Sequence, residues 1–224
     1  ITYEGKQKVI YTELDKALYE TIQAALLFWK KLGRFLENEL GFTANPYDTC
    51  VMNKMVNNKQ MTVAWHVDDL KISHVDPKEL EIIISKLESE FGKEAPLTVH
   101  RGKIHNYLGM TIDFSDTGKV VFSMDDYIKK MLGEAPKDLM KGSCASPAAN
   151  HLFSVNDSCQ KLDSATAILY HHLTAQLLYL GKRTRPDLLL AISFLCTRVQ
   201  EPDEDDWKKL GRCLRFLRET KNDH

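Results

Sequence analysis

Asp68 and Asp69 are adjacent acids set between two runs that both alternate in the manner of a strand. Upstream, Met61, Val63, Trp65 and Val67 alternate with Thr62, Ala64 and His66. Downstream, Leu70 and Ile72 alternate with Lys71 and Ser73. Period-two patterning on both sides of two residues predicts a β-hairpin with the acids at its tip. The pair is a costly choice there. Asn-Gly or Asp-Gly would supply the positive φ angles more cheaply, and two carboxylates about 5 Å apart repel by ~3 kcal/mol at an effective dielectric of about 20. Converging carboxylates are what a divalent metal site requires. The plain alternative is a solvated turn, and the pair alone does not separate the two.

The elements that must hold this hairpin can be traced along the chain. Leu14, Leu18, Ile22, Leu26, Trp29, Leu32, Leu36 and Leu40 recur at three- and four-residue steps. They predict a helix, or two in line, over 12–40, bent at Gly33 and ended by Gly41. Strands are expected at 50–52 and 61–67, separated by Asn57-Asn58-Lys59. Asp76, Pro77 and Glu79 read as N-cap, first helical residue and capping-box partner of a helix that buries Leu80, Ile83, Ile84, Leu87 and Phe91. Residues 104–114 and 119–123 read as two strands joined by Ser115-Asp116-Thr117-Gly118, and a short helix carries Tyr127, Ile128, Met131 and Leu132. Residues 134–162, rich in Pro, Ser, Ala, Asn and Gly, read as a long connection. Helices then start at Asp163-Ser164, Pro186 and Asp203. The acidic start and the basic finish (Arg212, Arg215, Arg218) of the last one complement the helix dipole; arginines on phosphates are the second choice. The fold class is α+β, an α+β half followed by an all-helical half.

Composition narrows the function. The chain has 224 residues, 43% hydrophobic and 27% charged, with a net charge of -1. These are the proportions of a globular protein with ample core, and no global basic field advertises nucleic acid. Cys50, Cys144, Cys159, Cys196 and Cys213 form no C-x-x-C, so neither a disulfide framework nor a zinc site is indicated and a reducing compartment is expected. No apolar run is long enough to span a membrane, and the opening residues do not form a signal peptide. The start inside a charged, strand-like stretch without Met reads as a piece of something longer. His74 and His171-His172 have no metal-ligand spacing and read as structural. Trp29, Trp65 and Trp207 read as core residues, and Tyr127 with Met131 as packing rather than a base-stacking platform.

The order of landmarks resembles the reverse transcriptase of copia-type LTR retrotransposons along nearly the whole chain. Ala17-Leu18-Tyr19, Gln23-Ala24 and Trp29 are similar to its A-L-Y-G-L-K-Q-A-P-R-x-W segment. His66-Val67-Asp68-Asp69 is similar to its Y-V-D-D box, and Asn106-Tyr107-Leu108-Gly109-Met110 to the Y-F-L-G-I strand associated with the primer grip. Leu177-Leu178-Tyr179-Leu180, Arg185-Pro186-Asp187, Trp207 and the run from Leu214 to Thr220 resemble landmarks of the stretch before RNase H.

The resemblance implies a polymerase palm-like antiparallel sheet with helices, followed by a helical thumb or connection region. The divisions it implies are a partial palm over 1–124, a short helix and connecting loop over 125–162, and the helical region over 163–224. It implies an RNA-directed DNA polymerase using two Mg²⁺ ions, with Asp68 a direct metal ligand and Asp69 supporting it. Gln23 and His66 would lie near nucleotide and template, and Tyr107, Leu108 and Gly109 near the primer end. Template with primer, deoxynucleotides and the rest of a Pol polyprotein (fingers, RNase H, integrase) are the implied partners, with no membrane. The implied setting is intracellular, a cytoplasmic particle or the nucleus. His66 replaces the usual Tyr, Glu20 a Gly and Ala25 a Pro. The family's first metal-binding aspartate precedes the Ala17-Leu18-Tyr19 segment, and Asp15 does not match its motif. The site is therefore expected to be incomplete within these residues. The main alternative is a degenerate or repurposed fragment that binds nucleic acid or a protein without catalysis. A free-standing RNA-binding module is disfavoured, since no aromatic pair of the RNP type marks a strand.

Overall fold

The structure is a computed structural model that describes residues 2–13, 17–18, 21–93 and 95–221. Asp15, Tyr19 and Glu20 lie outside the described residues. The chain divides into two compact units, 1–99 and 100–224, and each mixes helix with antiparallel sheet.

The first unit opens with a small hairpin, β1 (Thr2–Glu4) and β2 (Gln7–Val9). Helix α1 spans Ile22–Arg34. It begins at Ile22 because Thr21 adopts an extended conformation and its hydroxyl accepts the Ala24 N–H at 3.2 Å, an N-cap; of the residues expected to be helical ahead of it, 14–16 and 19–20 lie outside the described residues. Just after Gly33 the helix widens into a π turn over Phe35–Glu39, and Gly41 (φ +69°) ends it as expected. The fully buried residues of this segment lie in its C-terminal half, with Phe28 packing against the core from the first half. Leu32 and Leu36 are buried, whereas Leu26, Leu27 and Trp29 are exposed, so Trp29 is not a core residue.

A four-stranded antiparallel sheet follows in chain order: β3 (Thr43–Ala44), β4 (Val51–Val56), β5 (Lys59–His66) and β6 (Asp69–Ser73). Asn57 and Asn58 join β4 to β5 with φ of 51° and 60°, the two positive values that a type I′ hairpin turn demands and that asparagine tolerates. Helix α2 (Pro77–Phe91) has Asp76 as its N-cap. The expected capping box does not close. The Asp76 N–H is taken by His74 Nδ1 at 3.1 Å, and Glu79 accepts from the Asn57 amide instead. Leu32, Leu36, Met61, Val63, Trp65, Ile83 and Leu87 form one core between the sheet face and the helices.

The second unit opens with a three-stranded meander, β7 (Ile104–Tyr107), β8 (Met110–Asp113) and β9 (Val121–Ser123). The single strand expected over 104–114 is two strands folded back at Leu108-Gly109, where φ is positive at both residues (51° and 73°). Helix α3 (Asp125–Glu134) leads into a connection without regular elements up to residue 160. Helices α4 (Ser164–Gly181), α5 (Leu189–Thr197) and α6 (Glu204–Glu219) complete the unit. Pro186–Leu188 forms a 3₁₀ turn ahead of α5. Asp163 caps α4, and Asp203 with Asp206 forms a full capping box on α6. Tyr170, Leu173, Leu177, Ile192, Leu195, Leu210 and Leu214 sit in a continuous core.

The arginines of α6 are structural. Arg212 donates to the Ser146 carbonyl, Arg215 to the Leu139 carbonyl at 2.7 Å, and Arg218 to the Met140 and Gly142 carbonyls. They hold the long connection against the helix, satisfying backbone acceptors that no ladder serves.

Candidate active site

The site is built on the β5–β6 hairpin. Met61, Val63 and Trp65 are buried and fix the inward face of β5. Antiparallel pairing then sets everything on the other face. Trp65 pairs with Leu70, His66 with Asp69, and Ala64 with Lys71. Residues paired across a ladder share a face, so His66, Asp69 and Lys71 all lie on the outward side. The expected two-residue Asp-Asp turn is shifted by one position. Val67 and Asp68 make the reversal, and Asp69 is the first residue of β6. The reason is the inward alternation, which keeps Leu70 opposite Trp65 and leaves no freedom to slip.

His66, Val67, Asp68 and Asp69 are all exposed, and among the described residues neither acid enters an ion pair. The hairpin tip therefore presents two carboxylates to solvent on adjacent residues. Lys71 follows Asp69 on the same face, and its ammonium is pushed below the usual lysine range by burial. Nothing in residue type alone marks Lys71, but its spacing of two from Asp69 does.

The donors suit Mg²⁺, a hard cation that takes one or two carboxylates and completes its shell with water and substrate phosphate oxygens. Among the described residues no group of three His, Cys, Asp or Glu side chains gathers as a metal cage. Asp68 and Asp69 are the groups that would hold the ion. Gln23 is exposed on the first turn of α1.

Tyr107, Leu108 and Gly109 belong to the second unit, at the β7–β8 turn. The Tyr179 hydroxyl, from α4, donates to the Leu108 carbonyl at 2.9 Å. A Cβ at Gly109 would stand 3.0 Å from that hydroxyl, a tight contact, and the positive φ there favours glycine as well. Sequence spacing could not reveal this partner, which is 71 residues away. His172 meets Glu134 at 3.2 Å and His74 serves the start of α2.

The sequence profile described as reverse transcriptase (RNA-dependent DNA polymerase) matches residues 2–147. The chain belongs to this family, which is the class that the hairpin and the order of landmarks define. It is 25% identical to the retrovirus-related Pol polyprotein from transposon TNT 1-94 of Nicotiana tabacum over 98% of its own length and 16% of that protein's. It is 26% identical to the retrovirus-related Pol polyprotein from transposon RE1 of Arabidopsis thaliana over 94% of its own length and 14% of that protein's. An uncharacterized mitochondrial protein of Arabidopsis thaliana is 26% identical over 71% of this chain and 62% of its own. The chain thus spans about a sixth of the length of the Pol polyproteins it matches. No solved structure matches it. No helix among the described residues is long and apolar enough to cross a membrane.

Proposed function

We propose that these residues supply the acid-bearing hairpin and the thumb-side helices of an RNA-directed DNA polymerase encoded by a copia-type retrotransposon. The exposed Asp68-Asp69 pair at a hairpin tip, within a chain of the reverse transcriptase family, carries the reading. Mg²⁺, when bound, supplies charge neutralisation for the attacking and leaving oxygens of nucleotidyl transfer. In this reading Asp68 gives the first oxygen ligand from the turn, and Asp69 supports it from the rigid end of β6. His66, facing Asp69 across the ladder, lies on the side where a nucleotide would approach. Gln23 contributes to template or nucleotide contact, and the turn at Tyr107, Leu108 and Gly109 receives the primer end.

Two carboxylates are fewer than the family's three, so residues 1–224 act with other polymerase segments rather than alone. Those segments, with RNase H and integrase, are the proposed polyprotein partners, and an intracellular particle or the nucleus the proposed setting. The test is Mg²⁺-dependent extension of a labelled DNA primer on an RNA template, with the preceding polymerase segment of a Pol polyprotein joined ahead of residue 1. Extension that survives Asp68→Asn would overturn the assignment. A repurposed, non-catalytic fragment is the second reading, favoured by the similarity to a mitochondrial protein that is not named as a Pol polyprotein. It predicts nucleic-acid or protein binding that Asp68→Asn leaves unchanged.

A further inference from the structure

The β7–β8 turn is clasped from a distant helix. Tyr179 lies partly buried on α4, and its hydroxyl donates to the Leu108 carbonyl at 2.9 Å, directly above Gly109. The ring itself is held on two sides. Tyr127 of α3 packs on it with ring centroids 5.3 Å apart, and the Arg183 guanidinium lies over it at 3.5 Å while donating to the Tyr179 carbonyl. Tyr127 is fixed in turn by its own hydroxyl on the Gln176 carbonyl. A phenol locked between an aromatic ring and a guanidinium has few positions available, so its hydroxyl is a rigid anchor. The turn it holds needs one. Leu108 has φ 51°, a conformation that L residues other than Asn and Asp rarely adopt, and the ladder closes on it with only the Tyr107–Met110 pair.

We infer that Tyr179 is a positioning residue for the primer end: through its hydroxyl, α4 sets where the Leu108-Gly109 turn stands against a primer 3′ terminus. This rests on the polymerase reading above. The chemistry follows from the bond. The Leu108 carbonyl is taken by Tyr179, which orients the peptide plane, and the absence of a side chain at Gly109 makes the room in which that hydroxyl sits. Substituting the hydroxyl alone should therefore loosen the turn without disturbing the packed ring.

The test uses the full chain with Tyr179→Phe, and Tyr127→Phe as the comparison, because the Tyr127 hydroxyl does not touch the turn. Hydrogen exchange at residues 107–110 should rise about threefold to tenfold in Tyr179→Phe, the range for loss of one neutral hydrogen bond, and stay at the wild-type rate in Tyr127→Phe. Affinity is then compared for an RNA–DNA hybrid with a recessed DNA 3′ end and for the same hybrid blunt-ended. Wild type and Tyr127→Phe should prefer the recessed end, and Tyr179→Phe should lose that preference while keeping its blunt-end affinity. Unchanged exchange in Tyr179→Phe overturns the clasp. Faster exchange with the preference intact overturns the positioning role and leaves the polymerase reading standing. A wild type without any preference for the recessed end overturns the polymerase reading, and the positioning role with it.

Discussion

His66 and Asp69 are the last pair of the β5–β6 ladder, so Val67 and Asp68 alone reverse the chain. The cost falls on Val67, whose φ is 56°. A β-branched residue at positive φ is a true outlier, and strain of this kind concentrates at functional sites. The register gives the reason. Slipping by one residue to relieve Val67 would turn Trp65 out of the core.

Val67→Gly should therefore stabilise the protein. Relief of left-handed strain amounts to about 1–2 kcal/mol, and the added backbone entropy of glycine offsets about 0.5–1 kcal/mol. A rise of roughly 2–4 °C in thermal midpoint is expected for a chain of this size. A midpoint that stays put or falls would mean that the turn is unstrained. If the strain serves to aim Asp68, the stabilised variant should also bind Mg²⁺ more weakly.

Arg215→Met and Arg218→Met separate a structural from a nucleic-acid role for α6. Both guanidinium groups donate to carbonyls between Leu139 and Gly142. Loss of either should expose residues 135–160 to limited proteolysis, cutting several-fold faster, while the affinity for a hybrid duplex and its salt dependence hold. A salt slope reduced by about one in either variant would show instead that the side chain meets a phosphate.

Much of this architecture is legible in residue patterns, and the exceptions have physical causes. The strand alternation around Trp65, the caps at Asp76, Asp163 and Asp203, and the stop at Gly41 are local signals that tertiary packing leaves alone. Helix α1 starts at Ile22 because Thr21 caps it, a signal that the run of leucine spacing outweighs in the sequence. The strand over 104–114 hid a turn because Leu108 is a poor left-handed residue and only Gly109 signalled it. At the candidate site the acids were legible from their cost, and their one-residue shift was not, since it depends on which face of β6 meets the core. The Tyr179 clasp and the arginine contacts join residues 66 to 78 positions apart, and no local pattern carries such distances.

Burial of Asp206 yields a pH prediction. Burial pushes its carboxyl above the ordinary value of 3.8, against the Asp203 N–H and Arg198, which favour the ionised form. A raised acid binds protons more tightly in the folded state. Its contribution is full below 3.8 and is lost as pH rises through the folded value. The stability of wild type minus that of Asp206→Asn, from urea unfolding at a series of pH values, should therefore fall as pH rises above 3.8. A difference that grows with pH would mean that Arg198 outweighs burial. Arg198→Met should cost about 3–5 kcal/mol, because it leaves the buried Asp203 and Asp206 carboxylates without their cation.

The last prediction concerns catalysis, and it follows from the number of carboxylates. Residues 1–224 alone should not extend a DNA primer on an RNA template, because in-line phosphoryl transfer needs charge neutralised on both the attacking and the leaving oxygen. Two adjacent acids on one hairpin anchor that charge at one point only, and positioning is lost with the second. A chimera in which the polymerase segment preceding the matched stretch of the tobacco Pol polyprotein is joined ahead of residue 1 should restore extension. In that chimera Asp68→Asn should abolish it. Folding should be nearly unaffected, since Asp68 is exposed, enters no ion pair among the described residues, and its neutralisation relieves repulsion with Asp69. His66→Tyr restores the family's usual residue opposite Asp69 and should lower the KM for deoxynucleotide more than it changes kcat. Robust extension by residues 1–224 alone would show that the remaining charge is held elsewhere in this chain. Undiminished extension by the Asp68→Asn chimera would remove Asp68 from the metal site.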